Sequence, residues 1–361
     1  MALAFATDLA AADFGSKGGP EPVNIDEIVS VLRQDAYDME LLISFGTSKG
    51  GSAGHLALAI RDQVPGDDLV YSANFYADRS AEHAQGFYVA DLMVAIPKKE
   101  YLFKTASTLG DTASFGLDFG EIYKRSVIGV RVYGVPAAEK EALVAFFRRI
   151  NDDYHKRVPN TEYHDGEIAY DYLHLNCAKT IGSAFRYGAG YRDLAISSSR
   201  LSPRRKVASA ANANIPTEMA MKLLEEWSAR GYGMDVVLYA KYDGSAYVDP
   251  HDDEKVAFKD LPDRFPSVLS RDFRKNQGQY KDFDNLFAMY VLYNMGKYRV
   301  RVDGQTRRLE VDRIGNLMAY PEAAGLATKS AGSDSRKFLG RDPFRPSGSA
   351  LGGRADNASR R

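Results

Sequence analysis

Hydrophobic and polar positions change period several times along the chain, and each change marks an element. After a loose arm over residues 1–24, "IDEIVSVL" carries a weak helical spacing, and "YDMELLISFG" reads as a strand ending at Gly46. "HLALAIRD" and "DLVYSANFYAD" follow as two strands joined by the turn signal "VPGD". "FYVADLMVAI" and "SVIGVRVYGV" read as further strands. Leu143, Phe146, Phe147 and Ile150 recur at helical spacing and predict a helix over 136–154. Pro136 suits its first turn, Glu139 and Glu141 lie near its positive end, and Arg148 and Arg149 near its negative end.

In "LHLNCAKTIGSAF" (173–185) an alternating pattern gives way to a helical one, with Ala178, Ile181, Ala184 and Phe185 on one face. The stretch 197–214, "SSSRLSPRRKVASAANAN", has few large apolar residues and reads as a linker or exposed loop. Beyond it, "IPTEMAMKLLEEWSARGYG" predicts a helix with Met219, Leu223 and Trp227 on one face and Gly231 closing it. "MDVVLYAKY" is a strand, "FDNLFAMYVLYNMG" a helix, and "KYRVRVDGQTRRLEV" a hairpin turning at Asp303-Gly304. From about Lys329 the Ser, Gly and Arg content predicts a disordered basic tail. The expected class is α+β: an antiparallel sheet with packed helices over 25–196, then an α+β region over 215–328 that covers or extends the first core.

Composition narrows the picture only a little. The chain has 361 residues, 45% of them hydrophobic and 26% charged, in the range of ordinary globular proteins. A formal net charge of -1 gives no overall field toward nucleic acid, so no nucleic-acid partner is expected. The N-terminal "MALAFATDLAAADFGSKGG" has no basic start and is interrupted by Asp8, a poor secretory signal. The longest strictly apolar runs, such as "LFAMYVLY", are too short to span a bilayer, although peripheral membrane contact is compatible with the sequence. These features predict a protein that is cytoplasmic as synthesised, with any export following a route that needs no signal peptide.

Cysteine usage changes the picture more. Cys177 is the only cysteine, which excludes an intramolecular disulfide and a Cys-rich zinc site. Asn176 is a good N-cap, so Cys177 falls in the first helical turn, where unpaired N–H groups favour a thiolate. The competing reading is a small core residue. His55 stands at the start of a strand, just after the glycine-rich "TSKGGSAG", where a neutral imidazole could take a thiol proton and return it to a leaving group. "DPHDDE" (249–254) lacks EF-hand spacing and reads as a solvated loop, and "TSKGGSAGH" fails the P-loop pattern.

"GSAGHLALAIRD", "LVYSANFY", "VRVYGVPAAEKEALVAFFRRIND" and "YDYLHLNCAKTIGSAF" together resemble the circularly permuted NlpC/P60 group of papain-like proteins, in which the histidine strand precedes the cysteine helix. The resemblance covers roughly 40–195. It implies a permuted papain-like domain, Cys177 as nucleophile, His55 as general base and the Cys177 backbone N–H as oxyanion donor. It also implies a third polar group on the next strand. Asn74 is favoured there; Ser72 shares its strand face, and His83 is a further alternative. His155, His164 and His174 read as loop residues or as pointing elsewhere.

The implied activity is hydrolysis or acyl transfer through a thioester acyl-enzyme, with no metal and no organic cofactor. The favoured substrate is an amide bond of a peptide or cell-wall peptide, and the alternative is a lipid ester cleaved by the same pair, as in a phospholipase. A delivered effector or toxin, with an inhibitor or immunity protein as partner, fits the same features. A catalytically inactive papain-like binding module is the remaining alternative.

Overall fold

The segment "MELLIS" is buried along its whole length, so its strand must lie inside a sheet covered on both sides. The structure, a computed structural model, describes residues 24–44, 54–61, 68–74, 91–103, 121–160, 162–164, 166–171, 175–196, 216–241, 283–302, 309–315 and 317–333. In chain order these form α1 (Ile25–Arg33), β1 (Met39–Ser44), β2 (His55–Ile60), β3 (Leu69–Ala73), β4 (Met93–Pro97), α2 (Lys98–Phe103) and α3 (Glu121–Lys124). Next come β5 (Val127–Tyr133), α4 (Ala137–Lys156) and α5 (Cys177–Ser183), which continues into a π turn at Ala184–Gly188. The chain then forms α6 (Pro216–Ala229), β6 (Gly233–Tyr239), α7 (Phe283–Asn294), β7 (Gly296–Val302), β8 (Leu309–Arg313) and α8 (Tyr320–Ser333).

Among the described residues one sheet of eight strands runs in the order β4-β3-β2-β1-β5-β6-β7-β8. Every neighbouring pair is antiparallel except β6–β7, which is parallel. The class is therefore α+β with a mixed sheet: the strands within 25–196 pair antiparallel, as expected there, and the parallel pair lies in the C-terminal region. A parallel neighbour requires a crossover, and α7 enters β7 from that connection. The C-terminal region extends the first core: β6 pairs with β5 over its full length, Val130 facing Val236. Helix α6 crosses back over β1 and β2.

Period-two alternation deals the strands' apolar side chains to two layers. Leu41, Ile43, Leu56, Leu58, Val130 and Val236 face a core built with α4, α5, α6, α7 and α8. Leu42, Ala57, Ala59, Val70 and Val237 face the other, with Ile28 and Leu32 of α1, Tyr101 of α2 and Ile122 of α3. Both α4 and α6 formed where the spacing required, burying Leu143, Phe146, Phe147 and Ile150, and Met219, Leu223 and Trp227. Gly231 follows α6 at φ +75°, a left-handed position that a glycine adopts without strain. Helices α2 and α3 have no hydrophobic period long enough to read from sequence.

The second core also holds buried charge. Lys98, the first residue of α2, pairs with Glu40 of β1 and donates to the Tyr37 hydroxyl at 2.9 Å. Tyr37 donates to Asp68 at 2.5 Å, and Tyr239 donates to Glu40 at 2.8 Å. Burial opposes the Lys98 charge, but Glu40, followed by Tyr239, Tyr37 and Asp68, outweighs it and raises its pKa. Room for Glu40 comes from Gly129 on β5, where an added Cβ would lie 1.8 Å from Glu40 Oε1. This network pins the start of α2 to the sheet, and Tyr101 lies three residues further on.

Helix α8 continues to Ser333, past the boundary expected at Lys329. The loop 197–214, the Asp303-Gly304 turn, "DPHDDE", His83, His174 and residues 87–90 of the fourth strand pattern lie outside the described residues.

Candidate functional site

One end of the sheet collects the residues singled out from sequence. Ser44, the last residue of β1, is in register with His55, the first of β2, and with Val127, the first of β5. Gly54, at φ +89°, turns the chain into His55 in a backbone region that side-chain-bearing residues rarely adopt. Ser72 and Asn74 come to the same end along β3, since Ala57 of β2 faces Ser72. Helix α5 packs on β2 and β3, which brings its first residue, Cys177, beside Leu56.

The start of α5 is built as its sequence suggests. Asn176 is extended, at φ -94° and ψ -179°, and its side-chain oxygen accepts from the Lys179 N–H at 2.9 Å. Cys177 follows as the first helical residue and is 4% exposed. Burial of the sulfur, however, works against the thiolate expectation. Burial pushes the thiol up to about 11, against the backbone N–H groups of Leu56, Ala178 and Cys177 itself and the more distant Arg125. Helix-start dipoles act on the sulfur, but removing a thiolate from water costs more than they return.

His55 is held from the other side of the strand. Its Nε2 lies 2.8 Å from Ser72 Oγ. Burial first, then the positive charge of Arg125, lowers its pKa to about 4, with Glu121 acting the other way. The imidazole is therefore neutral at pH 7.

Of the three third-group candidates His83 lies outside the described residues, and of the other two it is Ser72 whose side chain lies within hydrogen-bond distance of the ring. The Asn74 side chain donates to the Asp91 carbonyl at 3.3 Å, and its backbone N–H to Leu92 at 2.7 Å. Asn74 is one position past the end of β3, where β4 offers backbone carbonyls, and its amide turns toward them.

Among the described residues no hydrogen bond joins Cys177 to His55. Alternation explains the offset: Leu56, against which the thiol lies, belongs to the α5 face, while His55 and Ser72 belong to the α2 face. His55 stands at the strand end, the one place where a ring from one face can approach the other.

Three further residues complete the surroundings. Glu121 and Arg125, at the two ends of the short α3 turn, form an ion pair at 2.8 Å with side chains 8% and 17% exposed. Arg125 lies two residues before Val127 and acts on both His55 and Cys177. Tyr101 is 2% exposed and lies near Ser72. Burial raises its pKa, and Glu121 is the strongest charge acting on it. The i,i+4 spacing of Glu121 and Arg125 was the one sequence signal for the pair. Tyr101 had no signal among 22 tyrosines.

His155 is exposed and pairs with Asp91 at 2.7 Å, far along α4, so it belongs to the surface. Among the described residues no group of three or more His, Cys, Asp or Glu side chains is placed to hold a metal ion. No described helix is long and apolar enough to cross a membrane. In comparisons with family models, curated proteins and solved structures, nothing matches the chain.

Proposed function

We propose that the chain is a cysteine hydrolase or acyltransferase of the permuted papain-like kind, acting on an amide bond of a peptide or cell-wall peptide. One observation carries the reading: His55 is anchored through Nε2 to Ser72, at the sheet end where Cys177 opens α5 against the neighbouring residue Leu56. Anchoring at Nε2 leaves Nδ1 as the ring nitrogen available to the thiol.

Cys177 Sγ attacks the carbonyl carbon while His55 Nδ1 takes the thiol proton. The backbone N–H of Cys177 receives the developing oxyanion. Collapse of the tetrahedral intermediate breaks the C–N bond, and the imidazolium returns its proton to the departing amine. Water, or another acceptor, then releases the acyl group from the thioester. Because both partners are neutral at pH 7, proton transfer accompanies attack and no thiolate–imidazolium pair exists beforehand. A lipid ester would be cleaved by the same steps.

The test is acylation of the full chain by an activated acyl ester, p-nitrophenyl acetate, followed by intact mass. The expected result is one acyl group on Cys177, sensitive to hydroxylamine, absent in Cys177→Ala and formed roughly 10²–10⁴ times more slowly in His55→Ala. Acylation that ignores His55, or none at all, refutes the reading. Amide, cell-wall peptide and phospholipid panels then identify the substrate class.

The depth of Cys177 and the absence of a bond to His55 favour a second reading, an inactive papain-like scaffold used for binding. It requires that no acyl-enzyme forms with any of these donors.

A further inference from the structure

Among the described strands the register shifts once, and it shifts at a lysine. Val236 of β6 is in register with Gly296 of β7, and the next pair is Val237 with Tyr298. Lys297 is therefore an extra residue, a β-bulge in the parallel pair. In a regular strand Lys297 and Tyr298 would point to opposite faces. Here both reach the α1 face. Tyr298 is buried in the core there with Val237 and Val300, and the Lys297 ammonium lies 5.5 Å from the centre of its ring.

The ammonium closes a ring of four charges. Lys297 Nζ lies 2.9 Å from Asp35 Oδ2 and 3.2 Å from Asp235 Oδ2. Arg131 of β5 holds the same two carboxylates, Asp35 through Nη2 at 2.8 Å and Asp235 through Nε at 2.9 Å. Each cation touches both anions, so the charges balance. Arg131 is fully buried, donates to the Leu32 carbonyl in the last turn of α1 at 2.8 Å, and lies 5.1 Å from the Tyr37 and the Tyr298 ring centres. Burial opposes the Asp35 charge, but Lys297 and Arg131 outweigh it and hold the carboxyl below its ordinary pKa. The ring joins four pieces of chain: the segment after α1, then β5, β6 and β7.

A strand without the bulge would face the wrong way. Continuing the register from Val236 and Gly296 sets Tyr239 beside Arg299. That turns Arg299 and Arg301 into the apolar core that Tyr239 occupies. It would also leave Arg131 as the one cation against two carboxylates that are only 15% and 12% exposed.

We propose that Lys297 is a register lock: inserted as a bulge, it completes the Arg131–Asp35–Asp235 ring, fixes the parallel register of β6 and β7, and fastens the β7–β8 pair to the end of α1. This device is independent of the chemistry at Cys177.

The test is NMR of the full chain, read as backbone NOEs and amide hydrogen exchange. In the parent, NOEs should pair Val237 with Tyr298 and skip Lys297, and β7 amides should open together with those of β5 and β6. In Lys297→Met, which keeps the apolar stem, β7 and β8 amides should exchange on the order of 10-fold faster or more, with β1 and β2 unchanged. In urea, Lys297→Met and Asp35→Asn should be coupled. Together they should lower the folding equilibrium constant at least about threefold less than the product of the two single effects.

Unaltered β7 protection in Lys297→Met overturns the proposal, and so do single effects that simply multiply. If that variant fails to fold, the parent decides alone. A bulge-free NOE pattern, or β7 opening ahead of β5 and β6, overturns the lock, and the skipped residue with joint opening supports it.

Discussion

The thiol of Cys177 should behave as a buried group and not as an activated one. Burial takes it from an ordinary 9.0 to about 11. Two units correspond to about 100-fold less thiolate at any pH below 9. At pH 7.5 the thiolate fraction is then about 0.03%, against about 3% for an unperturbed thiol of pKa 9. The assay is the pseudo-first-order rate of iodoacetamide addition between pH 6 and 11, read by intact mass beside a small free thiol. The rate should climb about tenfold per pH unit up to about pH 10 and begin to level off near pH 11, and His55→Ala should leave the inflection in place, because the ring is bonded to Ser72 and not to the sulfur.

The same shift has a stability consequence with a definite sign. A folded-state pKa above the unfolded one gives stability that is complete below pH 9 and lost as the pH rises toward 11. The loss is on the order of 3 kcal/mol and should be absent in Cys177→Ala. An alkylation inflection below 8.5 that moves up in His55→Ala would refute the reasoning. It would mean that helix-start N–H groups and an imidazolium outweigh burial at this site.

Other outcomes follow from the same geometry. The His55 ring should titrate near pH 4 in ¹H NMR, and the stability it contributes should fall as pH drops from 6.5 through that value, since the unfolded chain binds the proton first. A midpoint at 6 or above would show that the ring is solvated. Ser72→Ala should slow Cys177 acylation far more than Asn74→Ala, whose amide serves the Asp91 carbonyl; equal effects would return Asn74 to the site. Gly129→Ala should cost roughly 3–5 kcal/mol in urea unfolding, because its methyl displaces Glu40 from Tyr239 and Lys98 and leaves buried charge unpaired. A loss below 1 kcal/mol, within the range of an ordinary surface change, would show that the network can relax around it.

The sequence by itself determined what depends on neighbours within a few residues. The Asn176 cap, the helix that starts at Cys177, the apolar stripes of α4 and α6, and the alternation of β2 and β3 were all legible, because each follows from a local period or a local hydrogen bond. His55 and Ser72 were legible as candidates for the same reason: strand alternation fixes faces without knowing what covers them. Tertiary structure decided the rest. It joined β6 to β5 and β7 in one mixed sheet, crossed α6 over β1 and β2, and set Lys98 against Glu40 over the space left by Gly129. It also turned Asn74 to a backbone carbonyl, gave His55 to Ser72, and placed Tyr101 and Glu121 behind them. It buried Cys177, which works against the thiolate that a helix start by itself favours. Burial depends on elements far away in sequence, and it is burial that sets the larger free energy here.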